Sequence, residues 1–272
     1  MGINNSPDFF QSVMHPLFSD LPHVECFIDD IGIISNSTFH DHLHDLQEVL
    51  LRLERNGLTV NSLKCDWATK STEYWGFLLT PEGIKPMTYK ITAITNISRL
   101  TSTKYVRAFV GLVNYYKDMW PRSAHFLVPL TNLCSTKRKF SWNDTHEHSF
   151  QQIKRLVAED VMLRFPDHSL PFIIYTHASN YQLGASIKQK GFPVAYFSRK
   201  LTPTQRRYPT IEQEMLAIVE VLKEYRIFLL GAPITVFTDH KNLLSQSSDN
   251  NRVFRWKQKI EEYNVNLKYL KG

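Results

Sequence analysis

Two adjacent carboxylates, Asp29 and Asp30, are the residues of this sequence that first suggest metal chemistry. They lie between two apolar runs, 24–28 and 31–34, whose length and β-branched content are typical of strands. A two-residue joint at Asp29-Asp30 predicts a β-hairpin, although Asn-Gly or Asp-Gly would form that turn more easily. Carboxylates at the tip would suit two-metal catalysis, in which paired divalent ions activate an attacking oxygen and stabilise a leaving one. A solvated hairpin tip without a ligand is the alternative that the tetrapeptide leaves open.

A second set of acids lies in the last third of the chain. At about 100° per residue, Glu214 falls on the apolar side of a helix predicted over 210–229, where a carboxylate is costly unless it is paired or bound to a metal. Asp239 ends a predicted strand, 234–238, and could serve either as a metal ligand or as a helix cap. The first strand of this region leads to His177, which brings no negative charge and prefers softer metals than Mg²⁺.

These acids depend on helices and strands that the sequence pattern predicts. Helices are predicted over 7–18, 38–56, the helical region 86–139, 144–158, 210–229 and 253–263. Strands are predicted over 58–60, 74–80, 170–175, 183–189, 194–197, 234–238 and 265–270. The last part of the chain therefore reads as a mixed α/β domain.

Apolar stripes and capping residues indicate how three of these helices are oriented. Thr103 is expected to cap a helix whose apolar stripe comprises Val106, Phe109, Val110, Val113 and Tyr116. In the helix 210–229, Thr210 and Gln213 match a capping box, and Glu212 and Gln213 are expected on the polar side. The stripe of the helix 38–56, which is expected to be buried, comprises Leu43, Leu46, Val49, Leu50 and Leu53.

Charge and composition favour an intracellular protein with an anionic partner. The net charge of +6 leans moderately toward nucleic acid. Three widely separated cysteines, Cys26, Cys65 and Cys134, do not indicate a disulfide framework or a zinc cluster. The sequence shows neither a secretory leader nor an apolar run of membrane-spanning length, so a soluble protein is expected.

Basic and aromatic residues alternate in the helical region 86–139. Together such side chains can follow a phosphate backbone and stack on sugars or bases. An ordinary solvated helical surface explains them equally well. The residues concerned are Lys90, Arg99, Lys104, Arg107, Lys117 and Arg122, with Tyr89, Tyr105, Tyr115 and Tyr116.

A histidine pair on the helix 38–56 is a weaker candidate for metal binding. His40 and His44 are four residues apart and could share an ion. No third ligand is evident nearby, so a polar helix face is the favoured interpretation.

The ordered motifs resemble the polymerase–ribonuclease H part of a gypsy-class LTR retrotransposon polyprotein. The likeness runs nearly from end to end, and its first marker is the aromatic-X-Asp-Asp box at Phe27-Ile28-Asp29-Asp30. Trp75 stands where this family usually has Leu. The other segments that carry the likeness are 1–11, 61–65, 75–77, 111–116, 140–142, 150–154, 177–179, 184–185, 195–201, 214–219 and 238–243.

The resemblance implies an RNA-directed DNA polymerase coupled to a ribonuclease H. Both would use Mg²⁺, or Mn²⁺, and act on a primer–template duplex with deoxynucleotides or on an RNA–DNA hybrid. Asp29 and Asp30 would be the catalytic metal ligands of the polymerase, and Glu214 and Asp239 those of the nuclease, with His177 at a position normally Asp. The implied nucleic-acid contacts are Lys64, Trp75, Gly76, Arg107, Tyr115 and Lys117. A cytoplasmic particle or the nucleus is the implied location, with no membrane role, and the oligomeric state stays open.

The implied fold class is α+β. A partial reverse transcriptase palm is expected over 1–85, a helical thumb-like region over 86–140 and a connecting segment over 141–169. A ribonuclease H-like, five-stranded mixed α/β domain is expected over 170–272.

Departures from the family pattern lower the expected activity. The first polymerase Asp of the family is expected upstream of this sequence, together with the fingers. The first ribonuclease H acid is replaced by His177, and the fourth is expected beyond Gly272. We therefore expect little or no turnover from this chain alone.

Two other functions fit parts of the sequence. One is a non-catalytic nucleic-acid-binding remnant of the same kind of element. The other is an unrelated metal-dependent phosphatase or nuclease, which the order of the motifs argues against.

Overall fold

Two units, Met1–Tyr74 and Trp75–Gly272, make up the computed structural model of the chain. It describes residues 6–35, 37–135, 139–244 and 251–271. No helix within these ranges combines the length and the apolar character needed to cross a bilayer.

The first unit packs two helices around a β-hairpin. Its elements are α1 (Ser6–Phe18), β1 (Val24–Phe27), β2 (Asp30–Ile33), α2 (Phe39–Arg55), a 3-10 turn (Ser62–Lys64) and β3 (Thr72–Tyr74). A small core of Met14, Phe18, Val24, Val49 and Leu53 joins the two helices to the hairpin. The Thr38 hydroxyl accepts a hydrogen bond from the Asp41 backbone N–H, and the Asp41 carboxylate accepts one from the Thr38 backbone N–H. The predicted start of α2 is therefore confirmed.

Four predictions for this part of the chain are wrong. The hairpin turn is Ile28-Asp29 and not Asp29-Asp30, because Asp30 already pairs with Phe27 in the ladder. Residues 58–60 form no strand. The strand predicted over 74–80 is interrupted at Trp75 and Gly76, where φ is 52° and 69°. In α2, Leu43 and Leu50 remain 44% and 38% exposed, because the small core covers only part of the stripe.

The second unit begins with an antiparallel hairpin and four helices. These are β4 (Phe77–Thr80), β5 (Gly83–Pro86), α3 (Thr88–Thr95), α4 (Thr103–Tyr115), α5 (Ser123–Asn132) and α6 (Asp144–Val157). Val106, Phe109 and Val113 of α4 are buried, as its stripe predicts. The cap of α4 is Ser102, whose hydroxyl accepts from the Tyr105 backbone, and not Thr103, which is already helical.

Gly83 lies where two distant backbone segments meet. Ile84 and Leu163 exchange backbone hydrogen bonds of 2.8 and 3.0 Å. A Cβ built on Gly83, whose φ is 151°, would lie 2.1 Å from the Leu163 carbonyl oxygen. Only glycine fits this approach.

A five-stranded mixed sheet completes the second unit. Its strands are β6 (Phe172–Ala178), β7 (Gln182–Gln189), β8 (Phe192–Lys200), β9 (Ile234–Thr238) and β10 (Val265–Tyr269). Their order is β10-β9-β6-β7-β8, parallel among β10, β9 and β6 and antiparallel among β6, β7 and β8. The helices are α7 (Thr210–Glu224), α8 (Arg226–Leu229) and α9 (Asn251–Glu261). The predicted α+β fold class with its mixed five-stranded sheet is confirmed.

The environment of α7 differs from its prediction. Glu212 and Gln213 are buried, because the first half of α7 is covered on more than one side. Glu212 forms an ion pair with Arg252 of α9, and the Gln213 amide donates to backbone carbonyls of the preceding loop. Pro209 occupies the N-cap position without a side-chain hydrogen bond, so the predicted capping box is wrong.

Candidate metal centre and nucleic-acid interface

Three side chains, His177, Glu214 and Asp239, converge at one end of the five-stranded sheet. Tyr175 of β6 pairs with Phe237 of β9 in parallel register. Because side chains alternate along a strand, His177 and Asp239, each two residues further on, are expected side by side. Glu214 reaches them from the first half of α7, which packs against β6 and β7.

The cluster joins one buried carboxylate to two exposed groups. One potential ligand atom of each residue lies within 4.8 Å of the other two. His177 Nδ1 is 3.9 Å from Asp239 Oδ2, and these side chains are 54% and 45% exposed. Glu214 is only 2% exposed. The site is therefore anchored on the helix side and open to solvent on the strand side.

The Glu214 carboxyl is only half satisfied by hydrogen bonds. Its Oε1 accepts from the backbone N–H of Ala178 at 2.8 Å. Its Oε2 is buried and has no hydrogen-bond partner among the described residues. Burial raises the pKa of Glu214 to about 7; the Ala178 hydrogen bond opposes this rise and the charge of Asp239 adds to it. A buried carboxylate oxygen without a partner is costly, so this oxygen has the capacity to bind a cation.

Asp29 and Asp30 are both exposed on the β1–β2 hairpin. Ile28, the first turn residue, has a φ of 55°, which is an outlier for a β-branched side chain. The Gln11 side chain of α1 spans this turn: its Nε2 donates to the Cys26 carbonyl at 3.0 Å, and its Oε1 accepts from the Ile28 N–H at 2.5 Å. Gln11 therefore helps to fix the backbone that presents both carboxylates.

The charge of Asp30 affects the pKa values of two neighbouring side chains in the first unit. Burial, and then this charge, raise the pKa of the Cys26 thiol and of the Tyr74 hydroxyl. The charge of Asp30 therefore lies close enough to the Cys26 and Tyr74 side chains to affect both of them.

Trp75 and Gly76 form a strained turn that tyrosines hold in place. The Tyr115 hydroxyl donates to the Trp75 carbonyl, and the Tyr116 hydroxyl donates to the Gly76 carbonyl at 2.7 Å. The structure thus brings together three of the residues implied for nucleic-acid contact, Trp75, Gly76 and Tyr115. Trp75 and Tyr115 both keep about half of their surface exposed.

The three basic side chains that the resemblance implies for nucleic-acid contact have different surroundings. The Arg107 guanidinium donates to the Cys134 carbonyl at 2.9 and 2.5 Å. Lys117 pairs with Glu224 at 2.5 Å; burial lowers the pKa of Lys117, but Glu224 and Asp118 more than offset this and raise it. Lys64 is exposed on the 3-10 turn of the first unit. Arg107 and Lys117 therefore also have structural roles.

Sequence reasoning missed a basic groove beside α9. A cavity of about 580 Å³ is lined by Glu212, Asn251, Arg252, Arg255, Trp256 and Lys259. The last four residues recur at helical spacing, which places three cations and an aromatic ring on one face of α9. That spacing was the available signal. Sequence reasoning also missed Gln11, whose only signal was its position next to the apolar residue Phe10 on α1.

Two family models match parts of this chain. Residues 1–79 match the reverse transcriptase (RNA-dependent DNA polymerase) model, and residues 167–263 match the RNase H-like domain found in reverse transcriptase. The chain therefore carries reverse transcriptase and RNase H-like domains. Its homologues are Pol polyproteins of transposons.

Individual relatives show how much of such a polyprotein is covered. The Pol polyprotein of transposon 297 from Drosophila melanogaster is 33% identical over 280 residues, and that of transposon opus is 34% identical over 292 residues. The Tf2-3 polyprotein of Schizosaccharomyces pombe is 29% identical over 285 residues. Each comparison covers 100% of this chain but only 26%, 29% and 21% of the relative. The chain thus spans about a quarter of the curated relatives that it matches.

Solved structures share the fold. The foamy viral protease-reverse transcriptase in complex with double-stranded DNA matches with a TM-score of 0.87 at 23% identity, covering 100% of this chain and 50% of that chain. The same viral protein in complex with an RNA/DNA hybrid matches with a TM-score of 0.84 at 23% identity, covering 100% of this chain and 38% of that chain. At this identity the likeness supports the fold alone.

Proposed function

We propose that this chain is part of a gypsy-class LTR retrotransposon Pol polyprotein and serves RNA-directed DNA synthesis and hybrid degradation. In this proposal the palm occupies 1–85, the thumb 86–140, the connecting segment 141–169 and the ribonuclease H-like domain 170–272. The observation that carries it is the convergence of Glu214 and Asp239 at one end of the five-stranded sheet. An acid pair in this place suits phosphoryl-transfer chemistry on a nucleic-acid backbone.

The two acid sites differ in how well they fit Mg²⁺. Asp29 and Asp30 offer only carboxylate oxygens, which are the donors that Mg²⁺ and Mn²⁺ prefer. They would hold ions that activate a primer hydroxyl toward a deoxynucleotide. The cluster at Glu214 includes an imidazole, so it does not fit a pair of Mg²⁺ ions. We therefore expect weak or absent hybrid cleavage by this chain alone.

Duplex binding is the activity that the remaining residues support. Trp75 and Tyr115 present exposed aromatic surface on a turn that hydrogen bonds hold in place. Lys64 and the basic face of α9 offer exposed cations. Because the charge of Lys117 is already paired with Glu224, Lys64 should contribute more to salt-dependent binding than Lys117.

Primer extension and hybrid cleavage by the purified 272-residue chain test this proposal. We expect binding to an RNA–DNA hybrid that weakens as salt rises, with little turnover in Mg²⁺ or Mn²⁺. The Lys64→Ala variant should reduce the salt dependence more than Lys117→Ala does. Robust turnover would overturn the expected inactivity, and absence of hybrid binding at low salt would overturn the proposed function.

One observation favours a second candidate, a non-catalytic nucleic-acid-binding remnant. His177 occupies the strand position next to Asp239, where the resemblance calls for an acid. The Asp29→Asn/Asp30→Asn double variant separates the two candidates. A catalytic fragment would show residual primer extension, and this variant would abolish it. A remnant would show no primer extension either with or without both carboxylates, and it would bind duplex equally well in both cases.

A further inference from the structure

The cluster of His177, Glu214 and Asp239 offers one imidazole nitrogen and two carboxylates. Imidazole suits late first-row ions such as Zn²⁺, Co²⁺ and Ni²⁺, whereas Mg²⁺ demands oxygen donors. We propose that these three residues form a site for a single first-row transition-metal dication of the Zn²⁺ type and discriminate against Mg²⁺. This deepens the proposed function, because it concerns the same site, and it changes which ion that site holds.

The spacing of the three residues suits one ion. Their potential ligand atoms lie within 4.8 Å of one another, and His177 Nδ1 and Asp239 Oδ2 are 3.9 Å apart. Around a single ion with bonds of about 2.0–2.2 Å, ligand atoms lie roughly 3–4 Å apart. To bring the ligand atoms from the observed separations to those around one ion, the half-exposed His177 and Asp239 side chains would each move by about 1 Å or less. Two-metal sites hold ions about 3.5–4 Å apart and need further carboxylates to bridge and flank them.

The second oxygen of Glu214 points independently to a bound cation. This residue is 2% exposed, and its Oε1 is used by the Ala178 N–H. Its Oε2 is buried without a hydrogen-bond partner among the described residues. A buried polar atom left without a partner destabilises the protein, and more strongly when it is charged. A metal ion at the cluster would satisfy it directly.

The elements that carry the ligands are well packed. Met215, which follows Glu214, is fully buried in the core of the RNase H-like domain. His177 belongs to β6, which lies between β7 and β9 in the sheet, and Asp239 directly follows β9. Ligands on packed elements of this kind give a site whose geometry forms with little rearrangement.

Cobalt titration of the metal-free 272-residue chain tests the proposal. After chelator treatment and desalting, Co²⁺ should bind with a stoichiometry of one and give a visible absorption band. Zn²⁺ should remove that band, and millimolar Mg²⁺ should not. Retention of the band with Zn²⁺ in excess, or its loss with Mg²⁺, would overturn the proposal.

Variants identify the ligands and exclude adventitious binding. His177→Ala should weaken Co²⁺ binding by at least about 10-fold, since even changes outside the ligand shell cost this much. His177→Asp should weaken Zn²⁺ binding and strengthen Mg²⁺ binding. Glu214→Gln should also weaken Co²⁺ binding, with circular dichroism showing that it folds.

The control is His40→Ala/His44→Ala, which removes two exposed histidines on α2 and should leave the band unchanged. Loss of the band in this control, with retention in His177→Ala, would overturn the proposal.

Hybrid binding measured on the same samples separates the two proposals. Absence of cobalt binding together with intact hybrid binding would overturn only the metal assignment. Cobalt binding without hybrid binding would overturn only the proposed function.

Discussion

Gln11 Oε1 accepts a hydrogen bond from the backbone N–H of Ile28 at 2.5 Å. Through this contact a helix side chain holds a turn residue whose φ is 55°, immediately before Asp29 and Asp30. The turn residue alone would prefer another conformation, so the position of both carboxylates depends on the helix beside them.

Gln11→Ala should loosen this turn. The Ile28 N–H loses its acceptor, at a cost of about 1–2 kcal/mol. Hydrogen exchange of the Ile28 amide should accelerate roughly 5–30-fold. Gln47→Ala, on an exposed position of α2, is the matched control and should leave that amide unchanged. Equal exchange in both variants would show that Gln11 does not hold the turn.

Gly83→Ala should be among the most damaging substitutions in the second unit. Its Cβ would lie 2.1 Å from the Leu163 carbonyl oxygen, so one of the two backbone segments must move. A loss of about 3 kcal/mol or more is expected, since backbone hydrogen bonds break with it. Gly111→Ala in α4 is the control; nothing lies within 4 Å of its Cβ, and helix propensity predicts a gain of up to about 1 kcal/mol. Urea unfolding of both variants measures the difference, and equal effects would contradict the prediction.

Tyr116→Phe should destabilise the Trp75-Gly76 turn. The hydroxyl of this buried residue donates to the Gly76 carbonyl at 2.7 Å, so its removal should cost about 1–2 kcal/mol in thermal unfolding. Tyr105→Phe removes a hydroxyl from an exposed ring of α4, the helix that ends just before Tyr116, and should change stability by less than about 0.5 kcal/mol. A Tyr116→Phe effect no larger than this control would mean that the hydroxyl does not stabilise the turn.

Asp118→Asn should stabilise the protein increasingly as pH rises. Burial raises the pKa of Asp118 above its ordinary 3.8, against the Tyr225 hydrogen bond and the Lys117 charge, which lower it. An acid whose pKa is raised by folding favours the folded state below its unfolded pKa, and this contribution is lost as pH rises through the folded pKa. Asparagine does not ionise and can still accept from the Tyr225 hydroxyl, now 2.8 Å from Asp118. Denaturant unfolding at pH values from about 4 to 7 should therefore show a growing advantage for the variant; a constant difference would contradict the prediction.

The sequence predicts those features of the fold that depend only on residues close together in the chain. The start of α2 near Thr38 and the buried stripe of α4 both follow from local helical patterns. Glu214 was identified from its angle on α7 alone, because a carboxylate on an apolar face is unusual wherever that face packs.

Features that depend on distant segments could not be predicted in this way. Helical spacing predicts Glu212 on the polar side of α7, but the residue is buried, and Arg252 of α9, 40 residues later, supplies its counter-charge. Trp75 takes a positive φ that its side chain disfavours, in a turn where Tyr115, 40 residues later, donates to its carbonyl. In both places tertiary contacts override the local preference.

Because β5 pairs with Leu163, the β4–β5 hairpin is synthesised well before the segment that it contacts. Arg164 Nη1 donates to the Glu82 carbonyl at 2.8 Å across 82 residues, beside the backbone pairing of Ile84 with Leu163. At about 5–20 residues per second, a ribosome needs on the order of 4–16 s to make the intervening chain. During that interval the nascent β4–β5 hairpin lacks the backbone segment at Leu163 against which Gly83 fits. The exposed edge of the hairpin would be open to chaperones, or to neighbouring nascent chains, until Leu163 and Arg164 have been made and have left the ribosome.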